Sequence, residues 1–403
     1  MDDVRTAGIL AAVTEAGLAG VSEPDLLRDF CVRLNAEALP VARALVMIDT
    51  LHPVHEGHVF RWRRDDAETT PGRGYGRISD GGDAAERWSR SPFHHLLETG
   101  GSVLRRRLGP DHPADFPILD DVRAEGQTDY LALIHRFAPD AVIGEMDGVY
   151  SSWTTDAPGG FTDGQVAALS RLVPSLALAV KCASLARIAE TLVETYLGRD
   201  AGRRVLAGRI ERGVAERIEA VLWYSDLRGF TRITESAPDG IIPFLNDYAE
   251  AIISSVHEAG GDVLKLMGDG TLAIFTADDP GEACGCALQA EGLMRARVGA
   301  LNRDRAGKGL PATGTYLGLH IGEVFYGNVG SRERLDFTVV GPAVNEASRI
   351  AALCRSVEKD VLISSAFAAA ALAADRARLV SVGRYALRGV ERAQELFTLE
   401  RPG

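Results

Sequence analysis

Apolar runs in the C-terminal half of the chain predict strands that end at charged turns. Residues 221–224, Val-Leu-Trp-Tyr, form a continuous apolar run typical of a buried strand, and Asp226 follows where that strand must turn. Arg228 and Gly229 then supply a tight turn, and a helical pattern begins at Phe230. Backbone N–H groups at a helix start attract phosphate, and a neighbouring carboxylate suits a divalent cation. The pattern therefore predicts a turn that binds phosphate and metal.

A second apolar stretch predicts a β-hairpin with a carboxylate at its tip. Residues 263–267 and 271–275 are strand-like, and Gly-Asp-Gly at 268–270 separates them. If the fold brings the two turns together, Asp226 and Asp269 can share a pair of metal ions, which in such sites lie roughly 3.5–4 Å apart. Taken alone, each aspartate beside glycine is better explained as part of an ordinary turn.

The same half of the chain alternates further helix and strand patterns. Helices are predicted at 241–259, 280–301 and 342–355, and strands at 315–320, 324–328 and 335–340. This alternation predicts an α/β (α+β) fold, with strands too irregularly connected for a simple parallel sheet. Within the last helix, Asn345 and Arg349 are four residues apart and share one face. An amide and a guanidinium on one face suit a ribose and a transferring phosphate, although in isolation a solvated helix surface is the preferred interpretation.

The chain is predicted to have three parts. Residues 1–182 mix short strands, helices and polar loops, residues 183–214 form a helical connector, and residues 215–403 form the α/β domain. The connector carries an apolar stripe with a spacing of three or four residues, formed by Leu185, Ile188, Leu192 and Tyr196. Such a stripe suits pairing with a second copy, but packing against its own domain explains it equally well.

The amino-acid composition and net charge of the chain limit the kinds of molecule that it is expected to bind. The chain has 403 residues, of which 46% are apolar and 25% charged, as in soluble globular proteins. Its formal net charge of −12 argues against nucleic acid or an anionic membrane as the main partner. We expect no membrane-spanning segment and no signal peptide. The five cysteines have no zinc-type spacing, and we interpret them as thiols in a reducing cytoplasm.

The combined motifs resemble those of the class III nucleotidyl cyclases of bacterial type, the adenylate and guanylate cyclases. Asp-Leu-Arg-Gly-Phe-Thr at 226, Lys-Leu-Met-Gly-Asp-Gly at 265, Gly-Leu-His-Ile-Gly-Glu at 318 and Val-Asn-Glu-Ala-Ser-Arg at 344 occur in the family's order. The resemblance covers about 215–400. It implies a ferredoxin-like catalytic domain, active as a homodimer, that converts ATP to 3′,5′-cyclic AMP and pyrophosphate at the subunit interface. Two Mg²⁺ or Mn²⁺ ions would serve each site.

The resemblance also implies a role for each matching residue. Asp226 and Asp269 would be the metal ligands. Asn345 would position the ribose and Arg349 would stabilise the transition state. The triphosphate would accept hydrogen bonds from the turn formed by Leu227, Gly229, Phe230 and Thr231, and would contact Arg388, where the family commonly has lysine. In this family the metal ligands come from one subunit, and the residues matching Lys265, Asn345 and Arg349 come from the other.

Lys265 indicates the choice of base. Guanylate cyclases of the family carry an acidic residue here, whereas lysine can only donate and adenine N1 is an acceptor, so ATP is favoured. Thr338, three residues before Gly341, is the second base-contacting position, and Asp336 shares its strand face. The alternatives are a guanylate cyclase and a catalytically silent nucleotide-binding regulator. A catalytically silent protein would be expected to lose one of the metal-binding aspartates or the arginine. Asp226, Asp269 and Arg349 are all present here.

The N-terminal part loosely resembles a GAF-type sensory domain. The resemblance rests on Ser-Ser-Trp at 151–153, followed by Gly-Gly-Phe at 159–161 and a long helix. It implies a small-molecule effector, whose occupancy the connector would pass to the paired catalytic domains. In the same part His52, His55 and His58 have ligand-like spacing, but Pro53 and Gly57 indicate a loop, which makes a metal site a weak hypothesis.

Overall fold

The computed structural model describes residues 3–66, 70–75, 83–109, 115–236, 238–387 and 393–400. The chain divides into two compact units, Met1–Leu192 and Val193–Gly403, which are called unit 1 and unit 2 below. Each unit is built around its own β-sheet with helices packed on it, so the predicted mixed α/β class is confirmed.

Unit 1 is an antiparallel sheet with helices on both faces. Its strands are β1 (Arg43–Asp49), β2 (Gly57–Arg63), β3 (Thr70–Tyr75), β4 (Val103–Arg107), β5 (Asp129–Arg136) and β6 (Gly148–Thr155), in the order β3-β2-β1-β6-β5-β4. Its helices are α1 (Asp3–Leu18), α2 (Glu23–Ala36), α3 (Asp83–Ser89), α4 (Pro92–Glu98), α5 (Pro117–Ala124) and α6 (Asp163–Leu197), the last of which continues into unit 2.

Strand β5 shows how the sheet of unit 1 is buried on both faces. Leu131 and Leu133 belong to the core formed with α1, α2 and α6. Their neighbours Tyr130 and Ala132 point to the opposite face and join the core formed with α4 and α5. Because side chains alternate along a strand, a strand that is apolar at every position must be covered on both sides.

Helix α6 runs without interruption past residue 182, where the connector was predicted to begin, and ends at Leu197. Ile188 is only 4% exposed in the core of unit 1, and Leu185 and Leu192 pack against the same core. Tyr196, the last residue of the predicted stripe, is 80% exposed. Packing within unit 1 therefore accounts for the first three positions of the stripe.

By length and apolar composition alone, α6 is sufficient to cross a membrane, a feature that the sequence analysis did not predict. Of its most apolar stretch, 44% is buried inside the protein. Leu169, Leu172 and Val173 lie in the core of unit 1. A core helix of a folded domain meets the same criteria of length and composition, which makes this weak evidence for a membrane span.

Unit 2 contains a mixed sheet with helices on its faces. Its strands are β7 (Ala215–Leu227), β8 (Asp262–Met267), β9 (Gly270–Phe275), β10 (Thr315–Gly330), β11 (Leu335–Val340), β12 (Val361–Ser364), β13 (Leu379–Tyr385) and β14 (Gln394–Leu399). Their order is β13-β14-β12-β10-β7-β9-β8, and β11 pairs with β10. The helices are α7 (Arg199–Leu206), α8 (Phe230–Ser236), α9 (Ile241–Glu258), α10 (Pro280–Gly307), α11 (Pro342–Val357), α12 (Ser365–Ala370) and α13 (Ala373–Arg376).

Strand β10 is continuous, whereas the sequence analysis predicted separate strands at 315–320 and 324–328. Two glycines within β10 are packing contacts for α11. A Cβ atom on Gly318 would lie 2.5 Å from the Ala347 carbonyl oxygen, and one on Gly322 would lie 3.0 Å from the Ala343 Cβ. Glycine inside a strand often marks such a close approach. Helix α11 therefore lies directly on β10.

Strand β7 forms the centre of unit 2. Val221 and Trp223 are fully buried on the face that packs against α9 and α10. Ala220 and Leu222 are buried on the other face, in a core shared with Ala343 of α11. Burial on both faces fixes β7 rigidly, and its C-terminal end carries Asp226.

Candidate active site

Asp226 lies one residue before the end of β7, and its cross-strand neighbour is Tyr316 of β10. The side chain of Asp226 is half-buried. The chain then turns through Gly229, whose φ of 65° lies in the left-handed region that glycine adopts without strain. Helix α8 begins at the next residue, so the predicted order of strand, carboxylate, turn and helix is confirmed.

Asp269 lies at the tip of the β8–β9 hairpin, which the sequence analysis predicted. Met267 pairs with Gly270 across the turn, and Gly268 has a φ of 65°. A Cβ atom on Gly270 would lie 3.4 Å from the Ser225 carbonyl oxygen. The hairpin tip thus packs closely against the end of β7, next to Asp226.

The carboxyl groups of Asp226 and Asp269 lie within hydrogen-bonding reach of each other, so one can donate to the other when it is protonated. Burial, together with the hydrogen bond and charge of Asp269, raises the pKa of Asp226 from 3.8 to about 6, although the Leu227 N–H opposes the shift. Two carboxyl groups this close repel each other when both are ionised. The fold therefore holds two carboxyl groups in contact, and their ionised forms repel each other unless a positive charge neutralises them.

This donor set fits a divalent cation of the magnesium type. Among the residues that the structure describes, no group of three or more His, Cys, Asp or Glu side chains is arranged to hold a metal. Magnesium and manganese at phosphate-processing sites commonly have one or two protein carboxylates, with phosphate oxygens and water completing the shell. Asp226 and Asp269 supply that number, and a cation would remove their repulsion.

Arg228 holds the turn after Asp226 through contacts that the sequence analysis did not anticipate. Its backbone N–H donates to the Gly314 carbonyl at 2.9 Å, and its carbonyl accepts from the Thr313 hydroxyl at 2.5 Å. Its guanidinium pairs with Asp360 and lies 5.0 Å from the centre of the Tyr316 ring. Asp360 is 132 residues away along the chain, so no local pattern indicates this contact.

The predicted phosphate-binding turn combines residues packed against the domain with residues exposed to solvent. Leu227 is 4% exposed in the core, and the ring of Phe230 stacks at 6.5 Å on Phe244 of α9. Gly229 and Thr231 are exposed. The first N–H groups of a helix have no partner within the helix, so those of Phe230 and Thr231 are available to an anion. Buried Leu227 and the half-buried ring of Phe230 hold the turn, while Gly229 and Thr231 are exposed.

Lys265 lies on β8, and its ammonium group forms an ion pair with Asp336 of β11. Thr338, also on β11, shares the strand face of Asp336 because the two are separated by one residue. Phe337 and Val339 between and beyond them are buried. The structure therefore brings the lysine and its two candidate partners to one surface.

Asn345 and Arg349 lie on α11, which begins at Pro342 as predicted. Asn345 is exposed and Arg349 is half-buried, whereas Ala347 between them is in the core. Within the described part of the chain, no hydrogen bond or ion pair joins either side chain to Asp226 or Asp269. One copy of the chain therefore presents two sets of predicted site residues without joining them through contacts. Arg388, the predicted phosphate contact, lies outside the described residues.

The three predicted histidines of unit 1 contact one another through their rings, with His52 stacked on His55 and His58 edge-on to His55. The rings of His52 and His55 are 4.7 Å apart, and the His52 Nδ1 accepts the N–H groups of Val54 and His55. Burial lowers the pKa of His58 to about 4. The described residues include no metal-binding group here.

The five cysteines are unpaired, and Cys182 is exposed.

The comparison with known families assigns this fold. Residues 214–401 match the family model of the adenylate and guanylate cyclase catalytic domain. Most of unit 2 is therefore similar to an adenylate and guanylate cyclase catalytic domain. An adenylate cyclase of Anabaena cylindrica is 39% identical over 160 residues, which are 38% of this chain and 31% of the relative. Adenylate cyclase 1 of Rhizobium meliloti is 31% identical over 169 residues, 40% of this chain and 25% of the relative.

The chain spans about a quarter to a third of the length of these two relatives. Among solved structures, the adenylyl cyclase CyaB from P. aeruginosa is similar to 47% of this chain, over 97% of its own length. Its sequence identity is 22% and the TM-score is 0.43. The guanylyl cyclase Cya2 is similar to 46% of this chain and 93% of its own, at 28% identity and a TM-score of 0.40.

Proposed function

We propose that the cyclase domain converts ATP to 3′,5′-cyclic AMP and pyrophosphate, at a site completed by a second copy of the chain. The observation that carries the proposal is the contact between the Asp226 and Asp269 carboxyl groups beside the glycine turn. Two ionised carboxylates this close repel each other, so their contact does not stabilise the fold. The arrangement is therefore better explained by a function. The two relatives named above, both adenylate cyclases, support ATP as the substrate.

The reaction is an in-line attack of the ribose 3′-hydroxyl on the α-phosphorus, with pyrophosphate leaving. Asp226 and Asp269 would hold two Mg²⁺ or Mn²⁺ ions. When bound, these ions would lower the pKa of the hydroxyl and neutralise the phosphate charge. Backbone N–H groups of Phe230 and Thr231 would hold the triphosphate, and the ring of Phe230, packed on Phe244, would keep those groups in place.

Residues on α11 and β8 would complete the substrate contacts. Asn345 would hydrogen-bond to the ribose, and Arg349 would stabilise the charge that grows on the phosphate oxygens. Lys265 would donate to adenine N1, with Thr338 beside it. Arg388 would add a further phosphate contact.

An exposed apolar surface supports pairing with a second copy. Val340 lies opposite Phe325, and Asp336 lies opposite Val329, in the β10–β11 register. Residues directly opposite one another share a face, so Phe325, Val329 and Val340 surround the positions of Asp336 and Thr338. Their exposed fractions are 56%, 46% and 47%, which is unusual for large apolar side chains. A homodimer that covers this surface would place the base-contacting residues at its interface.

The test of the proposed function is to identify the product by mass. Purified full-length protein is incubated with ATP or with GTP in the presence of Mg²⁺ or Mn²⁺. We expect cyclic AMP and pyrophosphate in equal amounts from ATP, and much less product from GTP. Cyclic GMP as the main product would establish the guanylate cyclase alternative, and an absence of any cyclic nucleotide would establish the silent regulator.

We further propose that unit 1 is a GAF-like sensory domain that regulates the cyclase domain through a small-molecule effector. It contains a cavity of about 410 Å³ on the sheet face covered by α3, α4 and α5. The lining combines apolar and aromatic side chains with arginines, among them Leu45, Met47, Trp88, Phe93, Tyr130, Arg43 and Arg90. Such a lining suits a small aromatic molecule with an anionic group.

A cavity-filling substitution tests this regulation. The probe is 8-anilinonaphthalene-1-sulfonate, an aromatic sulfonate of the chemistry that the lining suits. In the full chain we expect it to bind with enhanced fluorescence and to change the cyclase rate severalfold. Leu45→Trp should abolish both effects because it fills the cavity. Leu51→Trp, at a position 37% exposed outside the lining, should preserve both. Equal responses in the two variants would contradict the proposal.

A further inference from the structure

The face of β10 beneath α11 carries one side chain between two glycines. Gly318, His320 and Gly322 alternate along the strand and therefore point to the same face. The two glycines allow the close approach of α11 described above. His320 lies between them and is 6% exposed, and a Cβ atom on Gly322 would lie 3.2 Å from the His320 Nε2 atom. The imidazole ring is therefore enclosed beneath α11.

The Nδ1 atom of His320 faces two oxygen atoms. The Ser364 Oγ atom lies 2.9 Å away, and the Oε1 atom of Glu346 on α11 lies 3.7 Å away. Ser364 caps α12 and already accepts the Phe367 N–H at 3.1 Å. In the described part of the chain, the Glu346 Oε1 atom is buried and has no hydrogen-bond partner. A buried carboxylate oxygen in this state is unfavourable, so its inward orientation needs an explanation.

The ring of His320 attracts this carboxylate when Nδ1 carries a hydrogen. Burial lowers the pKa of His320, and the negative charge of Glu346 opposes that shift, because the two side chains attract each other once the ring is charged. Glu346 is the charged group that faces the ring from α11, whereas Ser364 is uncharged and the neighbour on β7, Leu222, is apolar. A hydrogen on Nδ1 can point to Glu346 because the Ser364 oxygen already has a donor.

Glu346 has a second candidate partner on its own helix. Arg349 follows it by three residues, and side chains at that spacing are neighbours on a helix surface that commonly form ion pairs. Among the residues that the structure describes, no acidic side chain pairs with Arg349. Its guanidinium group can then contact a phosphate. An outward rotation of Glu346 would place a carboxylate against that guanidinium and neutralise its charge.

We propose that His320 is a positioning residue of the cyclase domain, in a role that rests on the proposed function. It holds the Glu346 carboxylate turned into the domain and so keeps Glu346 from pairing with Arg349. The guanidinium group of Arg349 then remains available to the phosphate oxygens of the nucleotide. This role explains why one oxygen of Glu346 is buried without a hydrogen bond although an arginine lies one turn away.

The test compares His320→Leu with the double variant His320→Leu, Glu346→Gln in the full chain, by kcat and KM for ATP. Without the imidazole ring, Glu346 should turn outward and pair with Arg349. This should lower kcat by on the order of tenfold, the size of a charge-assisted hydrogen bond that must break first. KM should change little, because Arg349 acts in the transition state. The double variant should recover most of the lost kcat, since glutamine has no charge to offer Arg349.

A second comparison leaves the ring of His320 in place. Glu346→Asp keeps the charge, but the side chain is one methylene shorter and no longer reaches His320, so kcat should fall. Glu346→Gln keeps the length without the charge, and kcat should change little. If the carboxylate itself served catalysis or the fold, aspartate would be the better replacement. This comparison decides the inference even if His320→Leu does not fold.

The matched control is His257→Leu, which replaces a half-buried histidine of α9 and should leave kcat unaffected. Rates are measured well below the thermal midpoint of each variant, so that loss of folded protein does not lower kcat. The inference is overturned if His320→Leu keeps the full kcat, if the double variant is as slow as His320→Leu, or if Glu346→Asp is faster than Glu346→Gln. If the unmodified protein makes no cyclic nucleotide, the proposed function itself fails.

Discussion

Asp226→Asn is expected to lower the cyclase turnover of the full chain by at least about a thousandfold, because divalent-ion stabilisation of charge at phosphorus contributes several kcal/mol. Asparagine keeps the shape of the side chain but removes the charge that holds the cation. Asp269→Asn should have a comparable effect, since the two carboxylates form one donor set. Initial rates with ATP over a wide range of Mg²⁺ and Mn²⁺ concentrations measure the loss, and the double variant should be little worse than either single one.

The stability of these variants separates a catalytic effect from a folding effect. The pKa of Asp226 is raised to about 6 from 3.8, so the folded protein binds more protons than the unfolded chain between these values. Its stability without metal must therefore fall as pH rises through this window, and the loss persists at neutral pH. Removing the charge with Asp226→Asn should leave the thermal midpoint at pH 7.5 unchanged or higher. An inactive variant with a strongly lowered midpoint would instead indicate a structural role.

The parts of the site that follow from local pattern were predictable from sequence. The apolar run of β7, the Gly-Asp-Gly tip and the proline at the start of α11 each specify backbone geometry within a few residues. The contact between Asp226 and Asp269 required the further assumption that the two turns meet, and the antiparallel pairing of β7 with β9 places them together.

Other features depend on contacts between distant parts of the chain. The sequence analysis divided β10 into two strands, and the packing of Gly322 against Ala343 is invisible without the fold. The pairing of Lys265 with Asp336 spans 71 residues, and that of Arg228 with Asp360 spans 132. Such side-chain pairs depend on which strands are neighbours in the sheet, and the local sequence pattern does not specify that.

In the proposed function, one catalytic site takes residues from two copies of the chain. Asp226 and Asp269 lie at the end of β7 and the tip of the β8–β9 hairpin, whereas Asn345 and Arg349 lie on α11. A homodimer with a two-fold axis would form two such sites, each combining the carboxylates of one copy with the α11 residues of the other. A variant that lacks either set would then be inactive alone but could support a variant that lacks the opposite set.

Mixing Asp226→Asn with Arg349→Ala tests this directly. Each homodimer should be nearly inactive. In a mixed dimer one site carries both substitutions and the other carries neither. With equal amounts and free exchange of subunits, about half of the dimers are mixed and the mixture should recover about a quarter of the unmodified rate of cyclic AMP formation. Two Asp226→Asn preparations mixed together should recover nothing. If the Asp226→Asn and Arg349→Ala mixture stays inactive although mass spectrometry shows mixed dimers, the shared site is contradicted.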